Sequence, residues 1–154
     1  MPMLEHLIYA SVATQDFGTL QVSELLQKSR ASNELHGLTG MLLHSEADGS
    51  FLQVLEGEPE AIDELLRKLV LDKRHSHLTF IIRERIPKRN FAGWTMGFSS
   101  VSVETTTNVP GLNDFFRKGS SFTELDAGRA KKILSAFVGG RWRPGHLGAP
   151  RKVA

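Results

Sequence analysis

Two periods run through the chain. In "LEHLIYASV", residues 4–12, strict alternation puts Leu7, Tyr9 and Ser11 on one side and His6, Ile8 and Ala10 on the other, as in a strand. Thr19 suits a helix cap, and Val22, Leu25, Leu26 and Ser29 then recur at helical spacing, which predicts a helix over about residues 20–31 that "SNELHG" ends. "LTGMLLH" and "SFLQVLEG" are two further apolar runs around the turn signal "EADG", so they are expected to pair as a hairpin. "GEPEAIDELLRKLVLD" is the strongest helical pattern. Pro59 fits its first position, acidic residues crowd its first turn, and Ile62, Leu65, Leu66 and Leu69 form its apolar stripe.

"LTFIIRERI" predicts a fourth strand that Pro87 breaks, and "GWTMGFSSV" predicts a fifth, with Trp94 and Met96 on one face of it. The order βαββαββ, with short helical crossovers, implies an α+β sandwich resembling the ferredoxin-like pattern: a five-stranded mixed sheet with two helices on one face. Beyond residue 101, "GLNDFFRKG" and "FTELDAGRAKKILSAFVG" read as a helical pair covering the other face, with Leu125, Ile133, Leu134 and Phe137 at helical spacing. The expected division is a core at 1–101, a helical extension at 102–139 and a flexible basic tail at 140–154.

Composition narrows the chemistry more than the fold. With 154 residues, 40% hydrophobic and 23% charged, the chain suits one globular domain with an appended element. It contains no cysteine, which excludes disulfides, thiolate metal sites and thiol catalysis. Neither a signal peptide nor a membrane-spanning run is visible, so a cytoplasmic protein is expected. The net charge is only +2, and its surplus lies partly in a tail where Arg141, Arg143, Arg151 and Lys152 face no acidic residue. That is the pattern of a solvated end rather than of a nucleic-acid arm.

Several polar residues sit where a plain core has no use for them. Gln53 lies among Phe51, Leu52, Val54 and Leu55 in a strand apolar on both faces, and a buried amide there is costly unless its hydrogen-bond sites are filled. Tyr9 is the single tyrosine and also lies mid-strand, while Asn33 falls at the predicted exit of the first helix. Taken singly, an anchored phenol, a helix-capping Asn and a Trp94–Met96 core pair explain them. Together, a phenol and two amides match the rim of a planar heterocycle rich in nitrogen and oxygen, with the Leu and Ile side chains of two flanking helices as its apolar walls.

The segments "HLIYAS", "NELHGLTGMLLH", "FLQVLEGEPEAI", "LDKRH" and "RNFAGWTMGF", in that order and spacing over residues 4 to about 100, resemble a BLUF domain, a blue-light sensor that uses flavin. The resemblance implies a flavin ring held between the two helices. It makes Tyr9 the photoactive tyrosine, Gln53 the switching glutamine, and Asn33 the amide on the ring's pyrimidine edge. Trp94 and Met96 match residues implicated in signal output. Asp72, Arg74 and His75 match a segment beside the cofactor's polar edge and ribityl chain, and Lys68 a basic residue near a ring carbonyl. It further implies that Tyr9 gives the excited flavin an electron and a proton, with Gln53 relaying the proton. The amide is left rotated or tautomerised, and the flavin absorption shifts to the red. FAD is the flavin the family favours, although the ring-binding residues would tolerate FMN or riboflavin. Two features depart from the family pattern: Ser32 precedes Asn33 where many relatives have a second asparagine, and the hairpin segment "HSEADGS" is long.

Rival readings lack their signatures. An RNA-binding sheet of this topology needs an "RGFGFV"-like strand, an acylphosphatase needs an arginine-bearing loop where this chain has "ASVATQDFG", and a dinucleotide enzyme needs "GxGxxG". His75 and His77 lack further ligands at metal-site spacing. The expectation is a photoreceptor without substrate turnover, free of metal, nucleic acid and membrane. Its output would pass through the C-terminal helices to an unidentified protein partner or to a second copy in a homo-oligomer.

Overall fold

The computed structural model describes residues 3–13, 19–45, 49–71, 75–101 and 126–139. Its elements are β1 (Leu4–Ala13), α1 (Thr19–His36), β2 (Thr39–Ser45), β3 (Ser50–Gly57), α2 (Pro59–Leu69), β4 (His75–Ile86), β5 (Gly97–Val101) and α3 (Ala127–Gly139). The five strands form one sheet in the order β4-β1-β3-β2-β5. Its pairs are antiparallel except the parallel edge pair β2–β5, which makes the sheet mixed, as expected.

The pleat sorts the apolar residues onto two faces. Leu7, Tyr9, Leu42, Phe51 and Leu55 join Leu26 of α1 and Ile62 of α2 in one buried cluster. Ile8, Ala10, Met41, Leu43, Leu52 and Val54 face the other way and pack with Ala130, Ile133 and Leu134 of α3. The sheet is therefore a shared floor for two cores. One lies under α1 and α2 and the other under α3. Asp126 caps α3, its carboxylate accepting the Arg129 N–H at 2.8 Å. The other half of the expected helical pair, residues 111–119, lies outside the described residues, as does the tail.

Three boundaries differ from the sequence reading, each for a local reason. α1 runs on to His36 because nothing before Gly37 breaks it; Gly37 adopts φ +69, and the Leu38 N–H closes the end on the Asn33 carbonyl at 2.8 Å. Asn33 thus lies within the last turns of α1 rather than at its exit. β4 begins at His75 instead of Leu78, because β1 continues to pair with it as far as Ala13. β5 begins only at Gly97. Before it, Gly93 at φ +85 turns the chain, and the carbonyls of Thr95 and Met96 accept from side chains of α1 rather than from a strand.

Trp94 and Met96 consequently do not share a face. Trp94 packs against the α3-side cluster, forming an edge-on pair with Phe91 at 5.5 Å between centroids, whereas Met96 is buried in the α1/α2-side cluster. The segment between them passes from one face of the sheet to the other.

Candidate functional site

The antiparallel register places Tyr9 of β1 directly opposite Gln53 of β3, and Leu42 of β2 opposite Gln53 on its other flank. Directly opposed side chains on one face stand about 5 Å apart at Cβ. That brings the Tyr9 hydroxyl onto Gln53 Oε1, to which it donates. On the β4 side, register shifts fall between Ile8 and Tyr9 and again between Ala10 and Val12. Such irregularities re-aim side chains beside functional sites.

Gln53 is half-buried, and the NH2 of its amide faces a poor partner: Nε2 donates to Met96 Sδ at 3.5 Å. Thioether sulfur is a weak acceptor. Above this floor opens a cavity of about 230 Å³ between the two helices. Leu25 from α1 and Leu65 and Leu69 from α2 form its walls; Tyr9, Ser11, Leu42, Phe51, Gln53, Leu55 and Met96 line its base. Lys28, Ser29, Ser32 and Asn33 complete the α1 side, and Lys68 the α2 side.

Asn33 is 2% exposed, yet only half of its amide is used by the protein: Nδ2 donates to the Thr95 carbonyl at 2.5 Å. Among the described residues, Oδ1 accepts no hydrogen bond, which is costly for a buried amide. A cleft with flat leucine walls, an orphaned amide oxygen, a weakly used amide N–H and a phenol fits the edge of a flavin ring, which offers both donors and acceptors. Lys28 and Lys68, exposed and one from each helix, add positive charge where a ring carbonyl or a phosphate would emerge.

The structure thus brings Tyr9, Asn33, Gln53, Lys68 and Met96 to one cavity and leaves Trp94 on the opposite face. Asp72 and Arg74 lie outside the described residues, and of His75 only the backbone, as the first residue of β4, is described. Among the described residues, no cluster of three or more His, Asp or Glu side chains is placed to hold a metal ion. No helix among them is long and apolar enough to cross a membrane.

Sequence reasoning missed four contributors. Lys28 extends the apolar stripe of α1 by one helical step, a spacing that could have revealed it. Arg30 Nε donates to the Met96 carbonyl at 2.9 Å, tying α1 to the segment before β5. Glu56 is fully buried and accepts from Thr39, Asn90 and Phe91, while Arg89 bonds Thr39, Gly37 and the Glu56 carbonyl. Nothing local in "LEGEP" or "PKRNF" signals that these meet.

A sheet with two helices beside a leucine-walled cleft, floored by a Tyr–Gln pair, suits a flavin-binding sensor. The family profile described as "Sensors of blue-light using FAD" matches residues 4–97, and the chain belongs to this BLUF family of blue-light photoreceptors. It is 30% identical over 125 residues to photoactivated adenylate cyclase subunit beta of Euglena gracilis, covering 80% of this chain and 14% of that protein. It is 28% identical over 137 residues to the blue light- and temperature-regulated antirepressor BluF of Escherichia coli (strain K12), covering 88% of this chain and 33% of that one. This chain therefore spans only a minor part of either relative. Among solved structures, the photo-activated state of BlsA superposes with a TM-score of 0.74 at 27% identity, over 88% of this chain and 95% of that one. The dark state of BlrB does so at 0.67 and 29% identity, over 88% and 98%.

Proposed function

We propose that this chain senses blue light through a reversible change in the hydrogen-bonding sense of Gln53, with Tyr9 as its partner and FAD as its flavin. The observation that carries the reading is the line of contacts from the Tyr9 hydroxyl to Gln53 Oε1 and from Gln53 Nε2 to Met96 Sδ, at the floor of the cleft. A bound flavin supplies a ring that absorbs blue light and, when excited, draws an electron from a neighbouring phenol. Asn33 and Lys68 hold its polar edge, Leu25, Leu65 and Leu69 its faces. Asp72, Arg74 and His75, as the family resemblance implies, accompany the ribityl chain.

The residues themselves explain why two states can coexist. The Tyr9 hydroxyl donates its proton to Gln53 Oε1, so that oxygen is where the proton moves when the phenol is oxidised. When the electron and the proton both return to Tyr9, the amide can come to rest turned over. Its NH2 then faces a phenol oxygen that accepts as readily as it donates. Among the described residues, the contact on the far side is the Met96 sulfur, which discriminates between the two senses only weakly. The states therefore differ by about one net hydrogen bond, ~0.5–1.5 kcal/mol. A gap that small makes a bistable element whose population light can shift.

In this role the chain turns over no substrate. Trp94, packed beneath α3, and Met96, packed on Gln53, are the ends of a segment that carries the change from the cleft to the opposite face. There a protein partner or a second copy would read it through α3. Relatives joined to a cyclase or acting as an antirepressor agree with a sensor whose output is contact.

Tyr9→Phe tests the reading. FAD-loaded wild-type protein should show a reversible red shift under blue light, and the variant should bind FAD, keep its far-UV spectrum and show no shift. A normal shift in the variant would refute the role of Tyr9.

A further inference from the structure

The carboxylate of Glu56 stands one pleat out of phase with Gln53 on the same strand, so it faces the α3 side and does not line the cleft. It is 0% exposed, and burying a carboxylate is costly unless its oxygens are filled. Three donors fill them. Oε1 accepts from the Thr39 hydroxyl and the Phe91 N–H, each at 2.9 Å, and Oε2 accepts from the Asn90 N–H at 2.6 Å.

Arg89 completes the clamp. One guanidinium nitrogen donates to Thr39 Oγ1 and to the Glu56 carbonyl, each at 2.9 Å, and another to the Gly37 carbonyl at 2.8 Å. Residues 89–91 are thereby fastened to the start of β2, the end of β3 and the turn that ends α1.

From this clamp the chain takes a tight path to the switch. Trp94 N–H donates to the Phe91 carbonyl at 3.0 Å across a turn whose third residue, Gly93, has a positive φ, which glycine adopts freely. Trp94 in turn accepts from the Gly40 N–H at 2.9 Å, and two residues on, Met96 Sδ meets Gln53. Gly97 leaves little slack at the far end, because a Cβ there would come within 2.5 Å of the Trp94 ring and 2.6 Å of Met41 Sδ. A displacement at residues 90–91 thus has a short, hydrogen-bonded route to Met96.

We propose that Glu56, with Arg89, is a positioning residue: it holds the segment 90–96 so that Met96 meets Gln53, and it thereby sets the lifetime of the light state and the signal reaching α3. The proposal rests on Gln53 being the switch. A glutamine at position 56 would keep the shape but replace one acceptor oxygen by an NH2 group, which cannot take a backbone N–H.

The test uses the FAD-loaded 154-residue chain carrying Glu56→Gln or Thr39→Val, with methyl-labelled methionine. Glu56→Gln should retain FAD and the size of the red shift. It should also move the Met96 methyl resonance in the dark, change dark recovery by about tenfold (~1.4 kcal/mol in the barrier), and abolish light-dependent amide exchange in α3. Thr39→Val removes one of the three donors and should move the same readouts the same way, recovery by about threefold; it carries the test if the first variant does not fold. An unmoved Met96 resonance, with recovery within about twofold of wild type, would overturn the proposal even if both variants lose stability, because a merely structural carboxylate predicts that result. Should the wild type itself show no red shift, the reading of Gln53 fails, and the Met96 resonance in the dark still decides whether Glu56 positions the segment.

Discussion

Truncating Ile133 to alanine probes the claim that α3 is packed on the sheet rather than merely lying near it. Ile133 is 0% exposed, in a cluster with Ile8, Ala10, Leu43, Leu52 and Val54 from three strands. The change deletes three carbons, a transfer loss of about 2.4 kcal/mol at ~0.8 per methylene. The unfilled space adds to that, for a total of ~3–4 kcal/mol. Against a typical domain stability of ~5–15 kcal/mol, this is large and measurable. Urea denaturation followed by far-UV circular dichroism gives the global cost, and amide exchange gives the local one. If α3 opens as a unit, the loss appears first as faster exchange across residues 127–139. The exposed neighbour Lys132, changed to alanine, should cost no more than about 0.5 kcal/mol. The red shift should survive Ile133→Ala, since the side chain lies across the sheet from the cleft. Stability within about 0.5 kcal/mol of wild type together with unchanged α3 protection would refute the packing argument.

Named contacts carry the other predictions. Asn33→Ala removes the buried amide whose Oδ1 has no partner among the described residues, and should weaken FAD binding by about tenfold, a loss within the ~1–3 kcal/mol of an unmade buried hydrogen bond; fluorescence titration measures it, and unchanged affinity would remove Asn33 from the site. Glu84 Oε2 meets Lys131 Nζ of α3 at 2.5 Å and His6 Nε2 at 2.7 Å, and Lys131 first, then His6, hold its carboxyl below the usual glutamate range. A depressed folded-state pKa means that this tie is complete above the ordinary value of about 4.3 and is lost as the pH falls through the lowered one. With Glu84 one-third exposed, it contributes at most about 1 kcal/mol. Thermal midpoints over that acid range should converge for wild type and Glu84→Gln, whose wild-type advantage appears only above it. Gly97→Ala should displace the Trp94 ring, destabilise the protein by ~1–3 kcal/mol and alter dark recovery, because the new Cβ has no room against that ring.

That Tyr9 and Gln53 act together was legible through the family resemblance, whereas their direct opposition across β1 and β3 was not, because a helix and a strand lie between them and local alternation does not set that register. The two-sided sheet was legible in part, since alternation along "LEHLIYASV" already separates Leu7 from Ile8. The end of α1 was not, since Ser32 and Asn33 look like stop signals until the Asn33 side chain is seen to bond Thr95 instead of its own backbone. Trp94 and Met96 were misread as strand neighbours because their segment is held by hydrogen bonds from Gly40, Asn33 and Arg30, contacts of long sequence separation that no local pattern encodes. Glu56 was invisible for a related reason: a glutamate at a strand end reads as solvated, and two of its three donors are backbone groups 34 and 35 residues away.

The central claim is that Gln53 is a two-position contact between one phenol and a flavin. Its most direct measurement is the visible absorption spectrum of FAD-loaded wild type and Gln53→Leu, before and after blue illumination. The account predicts a red shift that decays in the dark for wild type, and bound flavin with no shift for the variant, whose leucine offers nothing to reverse. A protein that takes up no flavin, or a Gln53→Leu variant that shifts as wild type does, would contradict it.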